Sequence, residues 1–505
     1  MTYLFVGAGQ AGSAIVDAVF EYTSDSTLGL FGGNDITALA EPMVFNSTVR
    51  DLQNLSNVDK SDQFGIADQH GIVDGTTAGF EEQVTGGFGR DPVEADEVMG
   101  AHVDEVVDLL RRRFGSAGGL ATDGGGPGWD EDERTEEYDD GWDDEPVDDR
   151  DGGWAEEPDD EWAEDTGGGW EDEPVDDTGG GWDDGDGDVD RQVEDLESEV
   201  RGEQGDATES EEIQFAFVCL GLGGGTGCGI APHIVDAIDE YTDGRASIVA
   251  LAILPNTMGP MTSGGDDEGS GGAGRQAWNA RYGLDRLEEK VDGIVLVDNQ
   301  RISYQAAAES QFAEYNEYVA AGIYDLVAGP VLSGIDPSDY ADIDTPDIDV
   351  QDVVTSLSFG VGGGDSKAGY AALGRAATMT RSLSGYLVPF VGKKNIDSAA
   401  LVRLATSKQS VSDLDPSDAQ KAIGLVRAPS SYLSGGSNRI ETSTIREYLQ
   451  AQCALQEVNL GVALNDRNLA TVTTLLTYER DDISRLAEIE EKAAEYEDRT
   501  EAMVQ

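Results

Sequence analysis

The run Gly223-Gly224-Gly225-Thr226-Gly227-Cys228-Gly229 constrains this chain more than any other feature. An apolar, strand-like segment, Ile213–Leu220, precedes it, and a helical pattern, Ala231–Tyr241, follows. Consecutive glycines let backbone N–H groups converge on phosphate oxygens without obstruction by Cβ atoms. The loop opens a helix, so the partial positive charge of the helix end faces the same anion. Thr226 adds a hydroxyl donor. The Gly-Lys-Ser/Thr of a Walker loop is missing, so a nucleoside triphosphate would be held mainly by backbone amides. A plain glycine linker is the alternative, and it fits poorly between an apolar strand and a helix.

Two weaker glycine turns accompany this one. Gly7-Ala8-Gly9-Gln10-Ala11-Gly12 joins the apolar strand Thr2–Val6 to a helix with Ile15, Val19 and Tyr22 at helical spacing. Read literally it is GxGxxG, a dinucleotide-fold turn. That reading also asks for an acidic residue about twenty positions past the last glycine, and Thr27–Asn34 has none. Gly86-Gly87-Phe88-Gly89-Arg90-Asp91 is the third turn, again just before a helix. Further strands are expected at Ala40–Asn46, Ala246–Leu254 and Gly293–Val297, with helices at Asp96–Phe114 and Arg275–Val291. Strand–helix alternation implies an α/β fold whose parallel sheet is covered on both faces. Ligands then bind outside the carboxyl ends of the strands, where the glycine turns fall.

Charge narrows the partners. The 505 residues hold 102 Asp+Glu against 32 Lys+Arg, a formal net of −70. Phosphate contacts need clustered Lys and Arg, so the balance argues against nucleic acid as a partner and against docking on an anionic membrane. No apolar run reaches the length of a membrane span, and the first residues lack the basic stretch of a signal peptide. With three cysteines there is no disulfide framework, so a cytoplasmic location is expected. Residues 121–212 carry 41 acidic residues and four arginines; of the net −70, −37 falls there and −33 remains. Eight lysines in the whole chain and an acidic remainder suggest a protein that works in high salt, where screening removes self-repulsion. Residues 120–212 are low-complexity: GWDDEPVDD at 141–149 returns as GWEDEPVDD at 169–177, and six of seven tryptophans lie here. Such a composition cannot offset chain entropy by burial, so a disordered insert is expected, either a spacer or a carrier of tryptophan docking motifs.

Taken in order, these motifs resemble the tubulin/FtsZ superfamily, most nearly its archaeal CetZ group. GGGTGCG at 223–229 is similar to the tubulin signature, with Cys228 where Ser, Thr or Ala is usual. GQAG at 9–12, VFNSTVRDLQNL at 44–55 and GGFGRDP at 86–92 resemble the other nucleotide loops, and the ordered series argues against a dehydrogenase. The resemblance implies a GTPase domain at 1–300, a central helix region at 301–335 and a smaller α+β domain at 336–505. It implies nucleotide contacts by Gly9, Gln10, Ala11, Gly12, Asn46, Gly86, Gly87, Gly89, Gly223, Gly224, Gly225, Thr226, Gly227 and Cys228. Towards the ribose and base it implies Glu268, Asn299, Phe312 and Asn316, and it implies Arg275 as a phosphate contact. Phe312 and Asn316 share a helix face; as an alternative, Phe312 joins Val319, Ile323 and Leu326 in a core stripe.

Asp347-Ile348-Asp349-Val350-Gln351-Asp352 resembles the family's catalytic loop, with Asp347 in place of Asn. The resemblance implies that Asp349 and Asp352 act on the nucleotide of the next subunit in a head-to-tail filament. An acidic turn in an acidic protein is the plainer reading. The expected cofactors are GTP or GDP, with Mg²⁺ carried by the nucleotide, and no metal site formed by the protein alone. The expected function is a self-assembling cytoskeletal GTPase of cell shape or division. The alternatives are a non-hydrolysing scaffold co-assembling with other tubulin-like proteins and, resting on GAGQAG alone, an NAD-dependent oxidoreductase. His70, His102 and His233 have no metal-ligand spacing and read as structural. Cys228, at a helix N-terminus, is a small filler or a thiol of lowered pKa.

Overall fold

The computed structural model describes residues 2–24, 36–67, 70–84, 86–115, 213–257, 271–301, 308–332, 348–360, 366–381, 393–434, 439–452, 457–465 and 468–504. These all belong to one unit, made by residues 1–116 together with 209–505. The acidic insert expected at 120–212 lies outside the described residues.

The strands are β1 (Thr2–Ala8), β2 (Ala40–Asn46), β3 (Gln63–Ala67), β4 (Gly71–Asp74), β5 (Ile213–Gly221), β6 (Ser247–Leu254), β7 (Gly293–Asp298), β8 (Ser358–Phe359), β9 (Lys367–Met379), β10 (Lys421–Ala428), β11 (Glu457–Leu464) and β12 (Leu469–Tyr478). They form one sheet in the order β11-β10-β12-β9-β7-β6-β5-β1-β2-β3-β4, with β8 paired to β9. From β3 through β7 every neighbour is parallel. Both faces are covered, and the period of two along each strand sorts side chains between two cores. Leu4, Val6, Val218 and Leu220 join Met99, Ile234 and Leu284 on one face. Tyr3, Phe5, Phe215 and Phe217 join Ile15, Val19, Val319 and Ile323 on the other.

The ladder runs through the boundary expected near residue 300. β7 pairs in parallel with β9, Gly293 opposite Gly369, and antiparallel β12 and β10 extend the sheet. One expected helix, Asp96–Phe114, is two, Pro92–Gly100 and Val103–Phe114. The break falls after Gly100, a poor helix former, which packs against the His233 ring, and His102 leaves helical geometry.

The helix Gly9–Ser24 lies so close to β5 that a Cβ on Gly12 would strike the Cys219 carbonyl oxygen. Gly12→Ala is therefore expected to destabilise by about 1–3 kcal/mol. A lower urea midpoint at unchanged slope is the measurement.

Candidate functional site

The site is built at the carboxyl ends of β1, β2, β5, β6 and β7. Gly9, the first residue after β1, has a positive φ of 70°, and a Cβ there would lie 3.0 Å from the Gly227 nitrogen. Only glycine allows both that conformation and that approach. The first and second loops are thereby held backbone to backbone. The third loop closes on the second, since a Cβ on Gly225 would meet the Arg90 carbon and Asp91 nitrogen at 2.5 Å. Ser47, just past β2, bonds Thr226 through their hydroxyls at 2.9 Å. Asn46 is buried at the end of β2, and its Nδ2 donates to Asp51 Oδ2 at 3.4 Å. Ala11 packs on Gly221, and Gln10 is exposed. Gly87 approaches the Thr48 and Ser47 hydroxyls, whereas Gly86, Gly89 and Gly224 face open space. The result is a concave nest with glycines lining its open side at the N-terminus of the helix Gly225–Thr242.

Cys228 faces the other way. It is fully buried, with Sγ 3.1 Å from the Leu222 carbonyl. Burial pushes its thiol well above the usual range. The expected lowering by the helix end is overturned, because desolvation of the thiolate outweighs the helix dipole. The filler reading of Cys228 is the one the packing supports.

Two residues missed from sequence help shape the nest. Asn279 Nδ2 donates to the Arg90 carbonyl at 3.1 Å and the Gly223 carbonyl at 3.3 Å, clamping the third loop to the second. It sits mid-helix in RQAWNARYG, where no spacing or periodicity distinguishes it. Asp51, beside Asn46, has its carboxyl held above the usual range by burial, against the Asn46 hydrogen bond and Arg50.

On the ribose and base side, Glu268 lies outside the described residues. Arg275 is half-buried in the helix Gly271–Leu287 and has no ion-pair partner among the described residues. Its neighbour Gln276 lies beside Gly223. Asn299 follows β7 directly, in a turn opened by the Gln300 N–H bonding Asp298 Oδ1 at 3.0 Å. Phe312 is 41% exposed, whereas Val319, Ile323 and Leu326 on the same helix are buried. The core-stripe alternative therefore fails for Phe312 and holds for the other three. Asn316 is half-buried.

The carboxylates lie at the opposite edge of the sheet. Asp349 caps the helix Val350–Leu357: the Asp352 N–H bonds Asp349 Oδ1 at 2.9 Å and the Asp349 N–H bonds Asp352 Oδ2 at 3.1 Å. This reciprocal capping box fixes both side chains and leaves each a second oxygen. The helix is pinned where strands begin. Leu357 packs on Gly293, the first residue of β7, and Lys421 at the start of β10 donates to the Thr355 and Ser358 carbonyls. Near the start of β1, burial and then the Asp349 charge hold the Tyr3 hydroxyl above its ordinary range. The glycine nest follows the other ends of β1 and β5. Asp347 lies outside the described residues.

A mostly parallel sheet covered on both faces, with glycine turns at the carboxyl ends of its strands, is a tubulin/FtsZ-like α/β architecture. Residues 174–306 match the family model described as the Tubulin/FtsZ family, GTPase domain. Cell division protein FtsZ 1 of Archaeoglobus fulgidus is 30% identical over 164 residues, 31% of this chain and 39% of that protein. Tubulin-like protein CetZ of Pyrococcus abyssi is 30% identical over 134 residues, 26% of this chain and 33% of that protein. The matches thus span well under half the length of these curated relatives. Among solved structures, CetZ2 from Haloferax volcanii, a GTPγS-bound protofilament, superposes with a TM-score of 0.57 at 18% identity, covering 99% of this chain and 100% of that one. Over residues 174–306 the chain resembles the Tubulin/FtsZ GTPase domain, and its fold is CetZ-like.

Proposed function

We propose that this chain binds GTP and GDP in the glycine nest and hydrolyses GTP at the joint between copies stacked head to tail in a cytoskeletal filament. One observation carries the reading: the amide nest and the carboxylate pair sit at opposite ends of the same strands, so they can meet only between two copies. Such a contact is heterologous and propagates as a filament. In this reading the backbone N–H groups of Gly223–Gly227 and the first and third loops hold the phosphates. Thr226, steadied by Ser47, donates its hydroxyl. Arg275 adds a phosphate contact, and Asn299, Phe312, Asn316 and Glu268 serve the nucleoside. The free oxygens of Asp349 and Asp352 orient and polarise the attacking water on the copy below. Among the described residues no group of three His, Cys, Asp or Glu is placed to hold a metal alone. Mg²⁺ would enter on the phosphates, where it supplies charge neutralisation.

The division into a GTPase half (1–300), a central helix region and a C-terminal half from 336 belongs to the same proposal. So do a cytoplasmic setting, work in high salt, a role in cell shape or division, and co-assembly with other tubulin-like proteins. No described helix is long and apolar enough to cross a membrane.

The test is sedimentation and phosphate release in concentrated KCl with Mg²⁺. Polymer that pellets with GTP but not without nucleotide is expected, together with steady release of phosphate. A protein that neither binds GTP nor pellets refutes the proposal. A second reading, a GTP-binding scaffold without turnover, draws on the capping box, which already gives Asp349 and Asp352 a structural task. GTP-dependent pelleting with no phosphate release would select it.

A further inference from the structure

The helix Ser484–Val504 reaches the nucleotide edge of the sheet from the far end of the chain. Arg485 is only 3% exposed. Its Nη1 donates to Thr257 Oγ1 at 2.8 Å, its Nη2 to the Pro255 carbonyl, and its Nε to Asp298 Oδ1 at 3.4 Å. Pro255 and Thr257 lie in the three residues that follow β6. Asp298 ends β7, and the same Oδ1 accepts the Gln300 N–H that opens the Asn299 turn. One guanidinium thus fastens the exits of two adjacent strands. Two turns further on, Lys492 Nζ donates to the Thr257 carbonyl at 3.0 Å and its hydroxyl at 3.1 Å. Thr257 Oγ1 donates to Glu488 Oε1 at 3.0 Å. Among the described residues, none of these three bonds the glycine loops at 9–12, 86–89 or 223–227.

The contacts are one-sided. They brace the exits of β6 and β7, the second of which opens the Asn299 turn, and leave the phosphate nest to Ser47 and Asn279. The chemistry suits arginine alone: three acceptors on two strand ends are met by a rigid planar fork, which the single-point ammonium of lysine cannot span. We propose that Arg485 is a positioning residue that sets the spacing between the exit of β6 at Pro255 and Thr257 and the Asn299 turn after β7. It thereby governs affinity for the nucleoside part of the nucleotide and leaves the triphosphate part unaffected. This rests on the guanine-nucleotide reading given above.

The experiment measures binding of GTP and of inorganic triphosphate by calorimetry, with Mg²⁺, for the full chain and for Arg485→Lys. Thr257→Val removes the loop-side partner and serves if the arginine variant does not fold. GTP affinity is expected to fall about tenfold in either variant, with triphosphate affinity unchanged. Equal losses for both ligands would mean general loosening and overturn the proposal. Unchanged GTP affinity overturns it as well. A wild-type chain that binds triphosphate but not GTP refutes the guanine-nucleotide reading itself, and this inference with it.

Discussion

Asp349→Asn is expected to cut GTP turnover by about a hundredfold or more while filaments still form with GTP. Asparagine keeps the cap, because its side-chain oxygen still accepts the Asp352 N–H, and Asn ranks with Asp as an N-cap residue. The charge that polarises water is what disappears. Asp349→Ala removes cap and charge together, and adds a local loss of about 1 kcal/mol. Comparing the two variants separates the structural task from the chemical one. If Asp349→Asn turns over at the wild-type rate, the carboxylate is a cap and nothing more. The joint can also be tested in trans. Gly224 has an extended backbone conformation and faces open space, so Gly224→Phe obstructs the nest without backbone strain. Each variant alone should release phosphate at no more than about a hundredth of the wild-type rate. Mixed, a Gly224→Phe copy still lends its Asp349 to the intact nest of an Asp349→Asn copy, and phosphate release should return. A mixture as inert as its components would mean that the two half-sites belong to one molecule, which the geometry forbids, or to no shared reaction at all.

Much of this site is legible in the residues, for a physical reason. In the proposed reading backbone amides do the binding, and glycine is the one residue type that announces backbone function in a sequence. Gly9, Gly225 and Gly227 each touch another loop so closely that a Cβ would clash or nearly clash. The pieces that stay hidden act through side chains in ordinary surroundings. Asn279 clamps two loops from the middle of a helix, and Arg485 arrives from a helix more than two hundred residues away in the chain. Neither leaves a periodic trace. The strands divide in the same way. β1, β5, β6 and β7 are aliphatic runs buried on both faces and read directly as strands. β9, KAGYAALGRAATM, does not, since alanine and glycine have little strand propensity. Its small residues answer to tertiary packing instead: Gly369 lies under the Leu357 carbonyl and Gly374 under that of Ala405. With β9 and β12 unread, the continuity of the sheet through β7 and β9 cannot be seen.

Asp325→Ala should cost about 3–5 kcal/mol, a large part of the 5–15 kcal/mol typical of a folded protein. Asp325 is 1% exposed on the helix Ala308–Leu332. It accepts Arg375 Nε and Arg427 Nη1, each at 2.7 Å, and Thr473 Oγ1 at 2.8 Å. These partners stand on β9, β10 and β12, and Arg375 also reaches Tyr22 Oη at 3.4 Å on the first helix. One carboxylate therefore ties the central helix to three strands of the second half. Removing it strands two buried guanidiniums, and that penalty exceeds the worth of the bonds lost. Replacing Asp325, Arg375 and Arg427 together by apolar residues of similar volume should recover most of the loss, which a simple packing defect would not do. The pH dependence has a definite sign. Burial alone raises the Asp325 carboxyl, but the charges and hydrogen bonds of Arg375 and Arg427 more than reverse this and hold it below the ordinary value. Its contribution is thus complete above the ordinary carboxylate range near about pH 4 and is lost as pH falls through the lowered folded value. Urea midpoints from pH 7 down to pH 3 should converge for wild type and Asp325→Asn as the acid limit is approached. A loss below about 1 kcal/mol at pH 7 would shift the anchoring of this helix to its apolar stripe of Val319, Ile323 and Leu326.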